Sequence, residues 1–182
     1  MNASNSIIVT PSEPKKTIST FGLCGCLALV IYARKENQQF AYLSHDDPLG
    51  GIENRTRVRA LQAVNKIVEI MHRPETIDIF LATPGEYGQG YQLFPKHEYE
   101  NLNDKLLSIF SKEFPQAKVS AKFIPYSMDQ SVHDIKFYEG GRDIIVELDP
   151  DYKKSVLFPK SSFTKIMLNQ TVDAQEVGKA QS

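Results

Sequence analysis

The sequence has little of what several protein classes require. It holds no tryptophan and only two cysteines in 182 residues, and its formal net charge is −1 at pH 7. So balanced a charge gives no general attraction to nucleic acid or to an anionic membrane, and neither is expected as a partner. Its apolar runs are all shorter than the roughly 20 residues that a membrane-spanning helix needs, so no membrane span is expected either.

The two cysteines, Cys24 and Cys26, have a single residue between them. Such positions on a strand or around a turn lack the geometry of a disulfide, so none is expected. The N-terminal residues show neither the basic start nor the long apolar core of a Sec signal peptide. These features predict a chain in a reducing, cytosol-like environment, with thiols available for chemistry.

The composition is that of a globular domain, with 41% hydrophobic and 24% charged residues. We expect one domain over residues 1–168 and a polar, disordered tail over 169–182. Apolar residues recur at helical spacing in 54–71 and 96–114, which predicts two amphipathic helices, the first capped by Asn54. Strand patterns are expected in these segments: 26–32, 40–45, 76–82, 118–126, 134–138 and 143–148.

Strands outnumber helices in this pattern, which favours an α+β fold. We predict a three-layer α/β arrangement, in which mixed β-sheets form a sandwich-like core and the two main helices pack outside. The segments 134–138 and 143–148 flank a turn with two glycines, so they are predicted to form a hairpin.

Another predicted hairpin, from 26 to 45, has a cysteine at one end and a histidine at the other. A turn centred between Lys35 and Glu36 would pair Cys26 directly with His45. The Cβ atoms of facing residues lie roughly 4.5–5.5 Å apart, close enough for a thiol and an imidazole to share a proton. A slip of one residue would place the two side chains on opposite faces. The spacing thus predicts a cysteine nucleophile with a histidine base.

The residues around Cys26 resemble a known active-site segment. The run Thr20-Phe-Gly-Leu-Cys-Gly-Cys26 is followed by an apolar strand, and the next strand ends in His45. This order resembles that of CheD, the bacterial chemoreceptor glutamine deamidases. The Leu23-Cys-Gly-Cys26 part is also similar to the L-S-G-C motif of the cytotoxic necrotizing factor and Burkholderia lethal factor toxins, which share the CheD-like fold.

The resemblance implies a CheD-like domain and a role for three side chains. Cys26 matches the nucleophile, His45 the base, and Thr20 a threonine found at the same spacing from the cysteine. The implied reaction hydrolyses a glutamine side-chain amide to glutamate through a thioester, with the backbone amides of Gly25 and Cys26 stabilising the oxyanion. The implied partner is a protein that carries a reactive glutamine, and neither a cofactor nor a metal is implied.

The resemblance is close over residues 20–45 and elsewhere extends only to the order of strands and helices. Asp46-Asp-Pro48 stands where CheD proteins have an apolar run, and a basic–tyrosine pair is absent from 51–57. These departures favour a divergent relative, such as a bacterial effector or toxin acting on a host protein. The expected location is the bacterial cytoplasm, or the host cytosol reached without a Sec signal peptide.

Other functions stay open at this stage. A non-catalytic adaptor would keep the fold as a binding module, and a transglutaminase or peptidase would use the same cysteine–histidine pair. Cys24, Cys26 and His45 offer three metal ligands, but C-x-C spacing without a fourth ligand is not typical of a structural zinc site.

Charged residues near this pair have simpler interpretations. Asp46 and Asp47 suit a turn before a proline. Arg55, Arg57 and Arg59 are interpreted as part of a solvated helix face.

Overall fold

A computed structural model describes residues 3–23, 26–47, 51–84, 96–126, 142–148, 150, 156–159 and 166–167. The predicted tail over 169–182 lies outside these ranges. The elements, in chain order, are β1 (Ala3–Val9), β2 (Lys16–Leu23), β3 (Leu27–Lys35), β4 (Gln38–Asp46), α1 (Ile52–Met71), β5 (Thr76–Pro84), α2 (Lys96–Glu113), β6 (Lys118–Tyr126), β7 (Arg142–Leu148), β8 (Val156–Pro159) and β9 (Ile166–Met167). The two sheets and two helices of the described residues confirm the predicted α+β class.

The strands form two sheets. The first has the order β1-β4-β3-β5-β6 and is mixed, because β5 and β6 are parallel while its other pairs are antiparallel. Helix α2 makes the crossover between the two parallel strands, as such a connection requires. The second sheet has the order β2-β7-β8-β9 and is antiparallel.

The first sheet is the middle layer of the fold, buried on both faces. Helices α1 and α2 cover one face, where Phe40, Tyr42 and Ile67 belong to one apolar cluster. The second sheet covers the other face, where Ala28 and Val30 belong to a second cluster. Burial on both sides explains why β3 is an unbroken apolar run rather than an alternating one.

The β3–β4 hairpin forms, but its register differs from the sequence prediction by two residues. Its loop is only Glu36 and Asn37, so Lys35 pairs with Gln38, and Ala28 rather than Cys26 pairs with His45. The predicted direct pairing of Cys26 with His45 is therefore wrong. Because side chains alternate with a period of two, a two-residue shift leaves both on the same face of the sheet.

The turn centre lies one residue later than predicted, because polar residues at the ends of both strands hide the point at which the ladder stops. Gln39 is part of β4 and is buried, and its side-chain oxygen accepts a hydrogen bond of 3.2 Å from the Tyr32 hydroxyl. Glu36 takes a positive φ of 50°, which closes the short loop. A polar residue that is buried in this way looks like a loop residue in a hydrophobicity pattern.

Helix α1 begins two residues before the predicted Asn54 cap. Its N-cap is Gly51, whose φ of 102° is strained for other residues, and no side chain caps the helix. The helix ends at Met71, and the following His72 has a φ of 58° while its backbone N–H donates to the Ile67 carbonyl. Within the described ranges, no helix is both long and apolar enough to cross a membrane.

Strand β7 lies where it was predicted but has other partners. The sequence predicted a hairpin of 134–138 with 143–148, whereas β2 pairs along one edge of β7 and β8 along the other. Over residues 144–147, both edges of β7 are already paired, so the predicted hairpin is wrong there. The segment 134–138 itself lies outside the described residues. The pairing of β2 with β7 joins segments more than a hundred residues apart in the chain, which strand periodicity does not encode.

The connection from β1 to β2 carries the chain from the first sheet to the second. Glu13 accepts hydrogen bonds from the Lys16 ammonium and from the hydroxyl and backbone N–H of Thr10. These contacts lower the pKa of Glu13 to about 2, so its charge persists over the working pH range. Lys16 also donates to the Ile8 carbonyl at 2.7 Å. The connection thereby leads β2 across to the layer that faces β4.

Candidate active site

The three predicted catalytic side chains lie at one end of the sandwich. Cys26 directly precedes β3, His45 is the second-last residue of β4, and Thr20 lies on β2. The first sheet therefore supplies the thiol and the imidazole, and the second sheet supplies the hydroxyl. The site lies between the two sheets, where the second apolar cluster reaches its end.

The Thr20 hydroxyl contacts the His45 ring directly. The distance from Thr20 Oγ1 to His45 Nδ1 is 2.7 Å, and His45 is only 8% exposed. With Nδ1 bonded to Thr20, Nε2 is the ring nitrogen that remains to exchange a proton with a thiol. If Nδ1–H donates to the hydroxyl oxygen, the neutral ring presents an unprotonated Nε2, which is the form that acts as a base.

Cys26 is on the same face of the sheet as His45, but two residue positions further along the hairpin. His45 pairs with Ala28, two residues after Cys26, so Cys26 and His45 are diagonal neighbours. The Cα atoms of such diagonal neighbours on adjacent strands lie roughly 7–8 Å apart, a distance that longer side chains can bridge. Cys26 is half-buried, packs against the apolar cluster between the sheets and is not in a disulfide among the described residues.

A β-bulge interrupts β2 beside the site. Thr20 pairs with Ile144 and Leu23 pairs with Arg142, so β2 has one more residue than β7 over this interval. Phe21, within the bulge, is 55% exposed. Bulges re-aim side chains and are frequent next to active sites. Sequence reasoning missed this feature, for which Gly22 is the only local signal.

Burial sets the protonation state of His45. It lowers the pKa of the imidazole below its ordinary value of 6.5, while the adjacent Asp46 acts in the opposite direction. The ring is therefore uncharged at neutral pH, which is the state that can accept the proton of a thiol.

The lowered pKa of His45 predicts a pH dependence of stability. Because the unfolded chain binds this proton at a higher pH than the folded chain does, the free energy of unfolding should fall as the pH falls through 6.5. The His45→Gln variant should lose that part of the pH dependence. Urea unfolding of both proteins about one pH unit above and below this value measures it. The same pH dependence in both would contradict the prediction.

Asp46 is not the turn residue that the sequence suggested. It is the last residue of β4, and its carboxylate accepts a hydrogen bond from Arg59 Nη2 at 2.8 Å and from Arg59 Nε at 2.9 and 3.1 Å. The Asp46 side chain is 6% exposed and that of Arg59 15%. The interpretation of Arg59 as part of a solvated face is therefore wrong, whereas Arg57 is exposed as expected.

Two elements of the predicted site are not described. Gly25, whose backbone amide was predicted to stabilise an oxyanion, lies outside the described residues, as does Cys24. The oxyanion role of the Cys26 amide stays a prediction as well. Within the described part of the chain, no three His, Cys, Asp or Glu side chains converge as ligands for a metal ion.

Comparisons with known proteins give a distant structural likeness. No protein-family model matches the chain, and no curated protein matches its sequence. Among solved structures, the chain is similar to the C-terminal domain of CNFy from Yersinia pseudotuberculosis, with a TM-score of 0.36 and 12% sequence identity. The match covers 91% of this chain and 57% of that one. So weak a likeness assigns no activity to this chain.

Proposed function

We propose that this protein is a cysteine-dependent protein-glutamine deamidase, which converts a glutamine of a target protein to glutamate. The observation that carries the proposal is the 2.7 Å contact between Thr20 Oγ1 and His45 Nδ1. It orients the imidazole on the sheet face that also bears Cys26. A thiol, a base and a third group that orients the base form the arrangement that activates a nucleophile.

In the first half of the reaction, His45 accepts the proton of Cys26 while the sulfur attacks the carbon of the glutamine amide. The resulting imidazolium then gives its proton to the departing nitrogen. The C–N bond breaks, ammonia leaves, and the glutamyl group is held as a thioester on Cys26. The thioester splits one difficult hydrolysis into two easier steps.

In the second half, His45 removes a proton from water as the water oxygen attacks the thioester. The C–S bond breaks, glutamate is released, and the proton returns from the imidazolium to the thiolate of Cys26. A neutral His45 is needed at the start of both halves, which agrees with the lowering of its pKa by burial.

The choice of glutamine as substrate rests on the motif. A cysteine–histidine pair serves many acyl transfers, whereas the run from Thr20 to Cys26 resembles glutamine deamidases in particular. The proposed partner is accordingly a protein with an accessible glutamine, and a role as an effector acting on a host protein is part of the proposal.

The proposal is tested by exposing bacterial and eukaryotic lysates to the protein in heavy-oxygen water. We expect wild type, but not Cys26→Ser, to convert specific glutamines to glutamates that carry the heavy isotope. Attachment of an added primary amine at those glutamines would indicate a transglutaminase, and cleaved peptide bonds would indicate a peptidase. Unchanged lysate proteins in both samples would leave the non-catalytic adaptor as the better hypothesis.

The Thr20 hydroxyl is expected to act on turnover rather than on substrate binding. Thr20→Val removes the hydrogen bond to His45 but keeps the shape of the side chain. His45 becomes an imidazolium during the reaction, and a hydrogen bond to a charged group contributes roughly 1.5–3 kcal/mol. We therefore expect kcat to fall about 10- to 100-fold with little change in KM. Thr20→Ser keeps the hydroxyl and serves as the matched control. Equal kcat values for the two variants would show that the contact does not assist catalysis.

A further inference from the structure

We propose that the buried Asp46–Arg59 ion pair positions the active site by fixing the end of the β3–β4 hairpin, which carries Cys26 and His45. The inference rests on the proposed function of that cysteine–histidine pair. Asp46 and Arg59 are thus positioning residues, which act through the hairpin rather than on the substrate.

The ion pair has the geometry of a rigid clamp. Arg59 donates to both carboxylate oxygens of Asp46, with distances of 2.8, 2.9 and 3.1 Å. Such a bidentate pair restricts the angle as well as the distance between its partners. Both side chains are largely shielded from solvent, so water competes little for these bonds.

The position of the clamp relates it to both reactive residues. Asp46 pairs with Leu27 in the last rung of the β3–β4 ladder, and the preceding rung pairs Ala28 with His45. Leu27 directly follows Cys26. The clamped rung therefore has the nucleophile as a chain neighbour on one strand and the base as a chain neighbour on the other.

Strand alternation transmits the orientation from Asp46 to His45. Asp46 points toward α1, like Phe40 and Tyr42 of the same strand, while His45 points toward the second sheet, like Leu43. Neighbouring side chains on a strand lie on opposite faces. A bond that prevents the strand end from twisting on the helix side therefore also fixes where the imidazole points.

The clamp is held by further hydrogen bonds at the same end of the sheet. Arg59 Nη1 donates to Ser4 Oγ at 3.2 Å and to Gln62 Oε1 at 3.0 Å, and Gln62 Oε1 also accepts from the Tyr42 hydroxyl at 3.1 Å. Ser4 lies on β1, one residue from Ala3, which pairs with His45. Arg59 thereby links α1, β1 and β4 around the strand end that presents the base.

A contribution to net stability does not by itself explain why a buried ion pair stands at this position. Replacing a buried ion pair by apolar residues of similar size is often neutral or stabilising, because two charges no longer have to be desolvated. What apolar residues do not reproduce is the fixed direction of a bidentate bond. Geometry at the hairpin end is thus the distinctive contribution of Asp46 and Arg59.

The test measures the alkylation rate of Cys26 by iodoacetamide as a function of pH, in the full chain with Cys24→Ser as background. A thiol assisted by His45 keeps reacting below the pH of about 8.5 at which an isolated cysteine titrates. Arg59→Leu should lose this reactivity, falling about tenfold near neutral pH, which corresponds to about 1.4 kcal/mol. Arg59→Lys keeps the positive charge but cannot form the two-pronged bond, so its alkylation rate should lie between those of the background and Arg59→Leu.

Arg57→Leu is the matched control, since it removes the same charge from an exposed position on the same helix. Its alkylation profile should equal that of the background. An Arg59→Leu profile equal to that of Arg57→Leu would overturn the proposal. Thermal unfolding of each variant identifies any loss of the fold.

The double variant Asp46→Leu/Arg59→Leu covers the case in which Arg59→Leu alone fails to fold, because it leaves no unpaired buried charge. We expect it to fold and to show the shifted profile. A normal profile in the double variant would show that the pair matters only for stability, which overturns the proposal.

The alkylation readout needs no glutamine substrate, so it separates this inference from the proposed reaction. A shifted Arg59→Leu profile without any deamidation would support the positioning role and contradict the reaction. If His45→Gln leaves the alkylation profile of the background unchanged, Cys26 and His45 are not coupled. That result contradicts the proposed function itself, independently of the role of Asp46 and Arg59.

Discussion

Replacing Cys26 by serine is expected to lower the kcat/KM for glutamine deamidation by at least about 10³-fold. A serine hydroxyl is a far weaker acid than a thiol. The imidazole of His45, which is able to deprotonate a thiol, therefore activates a serine hydroxyl poorly. The half-buried position of Cys26 suits serine sterically, so the fold should be preserved. Ammonia release at saturating and at limiting substrate measures the effect.

Cys24→Ser is the natural control for that experiment. It makes the same chemical change two residues away, at a position where the L-S-G-C motif that this segment resembles has serine, and it should keep nearly full activity. A Cys26→Ser variant that works within tenfold of the wild type would show that no thioester lies on the main route. A loss of activity in both variants, with the fold intact, would require a role for both thiols.

Replacing His45 by glutamine should have the second-largest effect, a loss of about 10²–10⁴-fold in kcat. The substitution removes both proton transfers, while an amide of similar size can still contact the Thr20 hydroxyl. The rate of Cys26 acylation, followed by quenched mass spectrometry, should fall together with ammonia release. Burial lowers the pKa of His45, so the acid limb of the wild-type profile is expected below 6.5.

His72 offers the comparison for this variant. It is an exposed histidine just beyond the end of α1, and His72→Gln should leave kcat unchanged. A wild-type kcat in His45→Gln would contradict the assignment of the base. A normal acylation rate with slow release of glutamate would instead confine His45 to the hydrolytic half of the reaction.

The sequence predicted the main elements because each has a strong local pattern. Both helices and the strand from Lys118 to Tyr126 lie where their periodicity placed them. The β3–β4 register was not predictable in the same way, because polar residues such as Gln39 lie inside the ladder and are buried. A hydrophobicity pattern takes such residues for a loop, which lengthened the predicted turn.

The candidate site was accessible to sequence reasoning only in part. The motif from Thr20 to Cys26 and the histidine one strand later identified three side chains, two of which are in direct contact. The bulge in β2 depends on its pairing with β7, more than a hundred residues away in the sequence. The Asp46–Arg59 pair depends on how α1 packs on the sheet, and a helical arginine between the buried and exposed faces gives no signal for this.

The central claim is that Cys26 forms a thioester with a substrate glutamine, assisted by His45. The most direct measurement is an acid quench of wild-type protein during turnover of a lysate protein that it deamidates, followed by mass spectrometry of the Cys26 peptide. We predict a glutamyl adduct on Cys26 that hydroxylamine removes and that does not form in Cys26→Ser. Ammonia release at the wild-type rate without any adduct, and undiminished in Cys26→Ser, would contradict the account.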